Sequence, residues 1–159
     1  MLNIVLLEPE IPPNTGNAMR LCANVGATLH LVEPLGFTLE TKALRRAGLD
    51  YRDLARVRVH ADLEACLSSL WVEGAPPRVH AMTTKGDTRH DRVRWAVHDV
   101  ALFGAESCGL PEHVLADPRI GLRVRLPMRA GMRSLNLSNA IAVVAFEAWR
   151  QNGFAGAVG

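Results

Sequence analysis

The chain has 159 residues, 48% of them hydrophobic and 21% charged, with a net charge of +2. That length suits one domain with a real core, and the balance excludes the charge-rich, apolar-poor composition of a disordered chain. No apolar run reaches bilayer length, the first residues lack the basic-then-apolar order of a secretory leader, and Cys22, Cys66 and Cys108 form no C-x-x-C pair, so a cytoplasmic protein with reduced thiols is expected.

In chain order, residues 2–7 are an apolar run with Ile4 and Val5, closed by Glu8-Pro9, and read as a buried strand. Pro12-Pro13-Asn14-Thr15-Gly16 then opens a helix that runs to about Val25 and stops at Gly26, with Asn14 or Thr15 as its cap. Residues 28–32 form a second strand, so the unit is βαβ and predicts a parallel sheet. A helix is expected over 42–47 and a half-exposed strand over 56–60; Asp62 caps a helix through Trp71, and Gly74-Ala75-Pro76-Pro77 closes it. Strands follow at 78–83, 100–103 and 123–126, with a polar loop over 84–90. The last helix, 136–151, is apolar on more faces than a small domain can cover, which points to a subunit interface.

Three loops lie where an open α/β sheet places its ligand, beyond the carboxyl ends of strands. In the first, Arg20 is suited to a phosphate, or is a solvated charge on a capped helix. In the second, Phe103-Gly104-Ala105-Glu106-Ser107-Cys108-Gly109-Leu110-Pro111, two glycines flank a carboxylate, as in a ligand loop or a plain strand-to-helix turn. The third, Leu126-Pro127-Met128 and then Arg133-Ser134-Leu135-Asn136-Leu137-Ser138-Asn139-Ala140, carries more small polar groups than one helix cap uses. Ser134 or Asn136 caps the helix in the plainer reading, with Asn139 satisfying buried backbone. No Walker A, G-x-G-x-x-G or G-x-S-x-G sequence is present. The histidines show no ligand spacing; His60, His80 and His98 read as structural, and no metal is expected.

Asn14-x-Gly16-x-x-x-Arg20, Phe103-Gly104-x-Glu106-x-x-Gly109-Leu110-Pro111 and the third stretch resemble, in order, the three motifs of the SPOUT superfamily of RNA methyltransferases. Ala105 and Cys108 in the second motif and Arg129 in the third depart mildly from the pattern. The match spans the chain, and Leu44-Arg45-Arg46-Ala47-Gly48-Leu49-Asp50-Tyr51 and Thr83-Thr84-Lys85-Gly86 look like the minimal TrmL-like branch. The resemblance implies an α/β fold, a mostly parallel sheet flanked by helices, with a C-terminal trefoil knot. It also implies S-adenosylmethionine as cofactor, a homodimer, and methylation of the wobble-ribose 2′-hydroxyl, cytidine or uridine, in leucine tRNAs at the anticodon stem-loop.

By position, Met82, Thr83, Gly104, Glu106, Leu126, Met128, Ser134 and Leu135 are implied to hold the cofactor, and Arg20, Ser134 and Asn136 to act on the hydroxyl. Arg20 would serve the site of the other subunit. Asn14, Arg45, Arg46, Lys85, Arg89, Arg129 and Arg133, with Arg92, are the candidates for RNA contact. Two readings compete: the same chemistry at another tRNA or rRNA position, and a catalytically silent RNA-binding protein of this fold.

Overall fold

A computed structural model of the chain describes residues 1–39 and 56–158. The helix expected over 42–47, with Arg45 and Arg46, lies outside the described residues.

The elements in chain order are β1 (Asn3–Leu7), α1 (Pro12–Val25), β2 (Thr28–Val32), β3 (Val57–His60), α2 (Leu63–Ser69), β4 (Val79–Met82), β5 (Thr88–Arg89), β6 (Val100–Phe103), α3 (Glu112–Leu115), β7 (Ile120–Arg125) and α4 (Leu137–Gln151). The strands form one seven-stranded sheet in the order β3-β2-β1-β6-β4-β7-β5, and every pairing is parallel. Parallel neighbours need crossovers that cover both faces of the sheet, which is why β1, β4 and β6 are buried at every position.

Alternation along the strands sorts the core into two layers. Ile4, Leu6, Leu29, Leu31 and Phe103 face Met19 and Cys22 of α1 and Ile141 and Val144 of α4. Val5, Leu7, Val32, Ala81 and Leu102 face Cys66 and Leu67 of α2 and Val114 and Leu115 of α3. Each fully buried leucine or isoleucine here contributes about 1.5–3 kcal/mol of transfer free energy. Among the described residues, no helix is long and apolar enough to cross a membrane.

Several local expectations change. Helix α1 starts two residues before Asn14, at Pro12, with Ile11 as an N-cap that makes no side-chain hydrogen bond; Asn14 and Thr15 are buried inside the first turn and cap nothing. Prolines at the first helical positions lack the N–H groups that a cap would satisfy, so the start needs no cap there. Asp62 does cap α2, accepting from the Ala65 N–H at 2.7 Å, but the helix ends at Ser69, short of Trp71. The loop over 84–90 holds the short strand β5, followed by a turn of 3-10 helix, His90–Arg92. Strand β7 begins at Ile120, three residues earlier than expected, and α3 is the short helix that the strand-to-helix reading of 103–111 leads into.

One buried charge joins the ends of β4 and β6. Asp99 accepts from Arg78 Nε at 2.8 Å, from the Ala96 N–H at 2.9 Å and from His80 Nε2 at 3.4 Å. Burial pushes its carboxyl up, but the hydrogen bonds from His80, Arg78 and the Ala96 amide outweigh that and hold it below the usual carboxylate range. A carboxyl that titrates lower in the folded state than in the unfolded one stabilises fully above the unfolded value, near 4, and loses that contribution as pH falls through the folded one. Asp99→Asn is expected to destabilise the protein by about 1–3 kcal/mol at neutral pH, with the gap from wild type closing below about pH 4. Denaturant midpoints for both proteins across that pH range check this.

Candidate active site

The strand order reverses between β1 and β6, where an open α/β sheet places its ligand site. Two carboxylates tie the loops after these strands together. Glu106, in the loop after β6, accepts from the Glu10 N–H at 2.7 Å, the Ile11 N–H at 3.1 Å and Asn14 Nδ2 at 3.1 Å. Glu10, in the loop after β1, accepts from the Ser107 N–H and from Ser107 Oγ, both at 2.8 Å. Charge-assisted bonds of this kind, placed at a helix N-terminus, are stabilised further by the helix dipole.

The chain of contacts continues into the C-terminal segment. Asn14 Oδ1 accepts from Asn136 Nδ2 at 2.9 Å, and Asn136 Oδ1 accepts from the Ser138 N–H at 3.0 Å, which caps α4. Thus Asn136 is the cap, as one of the two residues expected, and its amide is engaged on both ends. It acts here by positioning Asn14 and the start of α4. Ser134 is exposed and makes no side-chain hydrogen bond among the described residues; Asn139 is exposed and buries no backbone partner.

These contacts frame a cavity of about 580 Å³ at the carboxyl ends of β4, β6 and β7. All eight positions assigned to the cofactor line it: Met82 and Thr83 after β4, Gly104 and Glu106 after β6, and Leu126, Met128, Ser134 and Leu135 after β7. Asn14, Asn136 and Lys85 line it too. The apolar wall adds Leu110, from the second motif loop, and Leu115 of α3 and Val124 of β7, two core residues that carry no site signal in the sequence.

Two glycines make the shape possible. A Cβ at Gly104 would lie 2.1 Å from the Gly109 carbonyl carbon, because the loop closes on itself through an Ala105–Gly109 bridge. A Cβ at Gly86 would lie 2.7 Å from the Val124 carbonyl carbon, where the turn after β4 lies flat on β7. Both are close backbone approaches that no larger residue permits.

The remaining candidates sit elsewhere. Arg20 is exposed on α1 and does not line the cavity of its own chain. Asn14, expected to meet RNA, is 5% exposed and has both ends of its amide held within the chain. Arg89 is paired in a two-pronged bridge with Asp91, which satisfies much of its guanidinium. Lys85, Arg129 and Arg133 are exposed and form no ion pair among the described residues.

Residues 1–146 match the SpoU rRNA methylase family. The chain belongs to that family. It is 53% identical over 159 residues to a tRNA (cytidine(34)-2'-O)-methyltransferase from Yersinia pestis, covering 99% of this chain and 98% of that one. A solved structure described under the 2-OH methylation of C/U34 on tRNA superposes with a TM-score of 0.86 at 44% identity, covering 96% of this chain and 97% of the other. An AdoMet-bound rRNA methyltransferase from Sinorhizobium meliloti shares the fold, with a TM-score of 0.79 at 24% identity, covering 94% of this chain and 56% of that one. The SPOUT-type arrangement expected from the motifs is therefore the observed one: a parallel sheet flanked by helices, as in the solved SpoU methylases.

If the carboxylate of Glu106 holds the two loops of this SpoU methylase together, Glu106→Ala should free the Glu10 and Ile11 amides. Their hydrogen exchange is expected to accelerate by at least about tenfold, equivalent to 1.4 kcal/mol, with α2 on the far side of the sheet unchanged. Exchange mass spectrometry of peptides covering 8–12 and 63–69 measures both.

Proposed function

We propose that this SpoU methylase transfers a methyl group from S-adenosylmethionine to the ribose 2′-hydroxyl of nucleotide 34 in tRNA, the position named for its relative from Yersinia pestis. The observation that carries the reading is the convergence of three separated motif loops on one cavity. Its size falls in the range of small-molecule sites, and its wall combines apolar side chains with Gly104, which has no side chain to fill the space. Leu110, Leu115, Val124 and Leu126 suit a flat purine, and the small residues around Gly104 leave room for close backbone hydrogen bonds to a ribose or an amino acid moiety. The cofactor, when bound, supplies an electrophilic methyl group on a sulfonium.

The chain's own groups then have distinct duties. An in-line displacement needs the attacking oxygen held in the axis of the breaking bond, so orientation carries much of the rate. Ser134, with its hydroxyl available, orients the ribose or the cofactor; Asn136 and Glu106 keep the loops in register through the bonds described above. Arg20 from a second copy clamps the phosphate and stabilises the developing alkoxide, since a guanidinium keeps its proton in proteins. The C-terminal helix supports a dimer: Val143 and Phe146 are 39% and 47% exposed on its outer face, next to the half-buried Trp149. Lys85, Arg129 and Arg133, at or near the mouth of the cavity, and Arg45 and Arg46 serve phosphate contacts, with Arg89 and Arg92 as lesser contributors. The finer reading adds leucine tRNAs as substrates, cytidine or uridine at the reacting position, a knotted C-terminal segment and action in the cytoplasm.

Incubation with labelled S-adenosylmethionine and total tRNA, followed by mass spectrometry of nuclease digests, is expected to place the label on the ribose of nucleotide 34. Label on a base or at another position would overturn the assignment. Arg20→Ala is expected to lower turnover by about a hundredfold or more while calorimetry finds cofactor affinity unchanged. Comparable loss of cofactor binding in that variant would remove Arg20 from the RNA side of the site. Affinity for tRNA is expected to fall with a log–log salt slope of about −0.7 per phosphate contacted, measured by filter binding.

A further inference from the structure

On the face of the sheet covered by α2, three side chains from three elements converge. His30 of β2, His60 at the end of β3 and Cys66 of α2 bring one ligand atom each within 4.8 Å of one another. No spacing rule could find them, because the two histidines meet across neighbouring parallel strands and the cysteine comes from the helix above. The expectation that the chain holds no metal rests on ligand spacing and on the apolar, strand-like neighbours of His60, His80 and His98.

We propose that His30, His60 and Cys66 form a site for a thiophilic divalent cation of the zinc class, which pins the edge strand β3 to β2 and α2. The reading is independent of the methyl-transfer chemistry, since none of the three residues lines the cavity.

The hydrogen bonds around His30 set up the donor. Asn3 Nδ2 donates to the His98 carbonyl at 3.2 Å, leaving Asn3 Oδ1 to accept from His30 Nε2 at 3.3 Å. His30 therefore carries its proton on Nε2 and turns the lone pair of Nδ1 inward, where it lies 2.9 Å from His60 Nε2. A metal-binding imidazole is held in this same way, with its far N–H fixed on an oxygen acceptor. Without a cation the two imidazoles share one hydrogen bond, between His30 Nδ1 and His60 Nε2, beside the buried Cys66 thiol.

Binding forms three coordination bonds. The Cys66 thiol gives its proton to solvent and becomes a thiolate, and the His60 proton exchanges from Nε2 to Nδ1 with no net change. His60 is only half-buried, which supplies an entry path and leaves water as a fourth ligand. Two imidazoles and a thiolate select zinc, cobalt or copper over magnesium or calcium.

The test uses the full-length protein carrying Cys108→Ser, which removes the exposed thiol, after chelation and desalting. Titration with cobalt(II) is expected to give saturable uptake of one equivalent, the visible bands of a tetrahedral ion, and a thiolate-to-cobalt charge-transfer band in the near ultraviolet. Zinc should displace the cobalt, and zinc at a hundredfold excess over its Kd should suppress unfolding about a hundredfold. Adding Cys66→Ser, a nearly isosteric change, should abolish the charge-transfer band, and His60→Gln, at the half-exposed position, should abolish uptake; circular dichroism checks that both variants are folded. If only one variant folds, its spectrum decides. Absence of saturable uptake, loss of the metal to an equimolar weak chelator, or a charge-transfer band that survives Cys66→Ser would each overturn the proposal.

Discussion

Glu10 and Glu106 exchange hydrogen bonds across the point where the strand order reverses, each carboxylate holding backbone N–H groups of the other's loop. The reason lies in the start of α1. Two prolines remove two of the N–H groups that a helix start would otherwise leave without partners, and Ile11 offers no side-chain cap, so the donors just upstream turn toward the loop after β6. A helix beginning that would be a local matter in another chain here becomes a bridge between segments almost a hundred residues apart. Sheet pairing of β1 with β6 brings the two loops within reach, and the carboxylates fix their separation.

Asn14 extends the bridge to a third segment. One end of its amide is held by Glu106 and the other by Asn136, which in turn caps α4. The positions of the loop after β1, the loop after β6 and the start of the last helix are thus set by one connected set of polar contacts rather than three separate ones. Such networks strengthen cooperatively when every member is satisfied, and they lose more than one bond's worth when a member is removed. The cavity inherits its shape from this network and from the tight closure at Gly104, which brings backbone, not side chains, to its wall.

What the sequence made legible follows from the range of the forces involved. Strands β2 and β6 stand at the residues expected, and β1 differs by one, because strands buried on both faces are largely apolar and their turn signals lie beside them. Strand β7 starts earlier than expected because it is exposed along much of its length and Gly121 interrupts its beginning. The eight cavity residues were legible through motifs that resemble a known family, not through periodicity. Asn14 was misread as a helix cap because a small polar residue after proline carries the same local signal whether its partner is the nearest amide or a carboxylate far along the chain. His30, His60 and Cys66 were invisible for a related reason: their meeting depends on strand register and helix placement, neither of which a single sequence displays.

The same network bears on how the site can work. Glu106 lines the cavity, yet three N–H donors already occupy its oxygens, and Asn136 is held at both ends of its amide. Neither is free to take a proton from a bound hydroxyl without giving up the contacts that build the cavity. Of the polar side chains in the third motif, Ser134 lines the cavity, stands exposed and has no hydrogen-bond partner within the described residues. A site whose polar groups are spent on positioning is suited to a reaction limited by alignment, in which a strongly activated donor needs little acid or base assistance and a well-placed positive charge serves the developing anion. Lys85 brings one positive charge to the cavity wall, and α1 carries Arg20 on the same helix whose beginning the two glutamates clamp. Fixing the first turn of α1 therefore fixes the direction in which its arginine is presented.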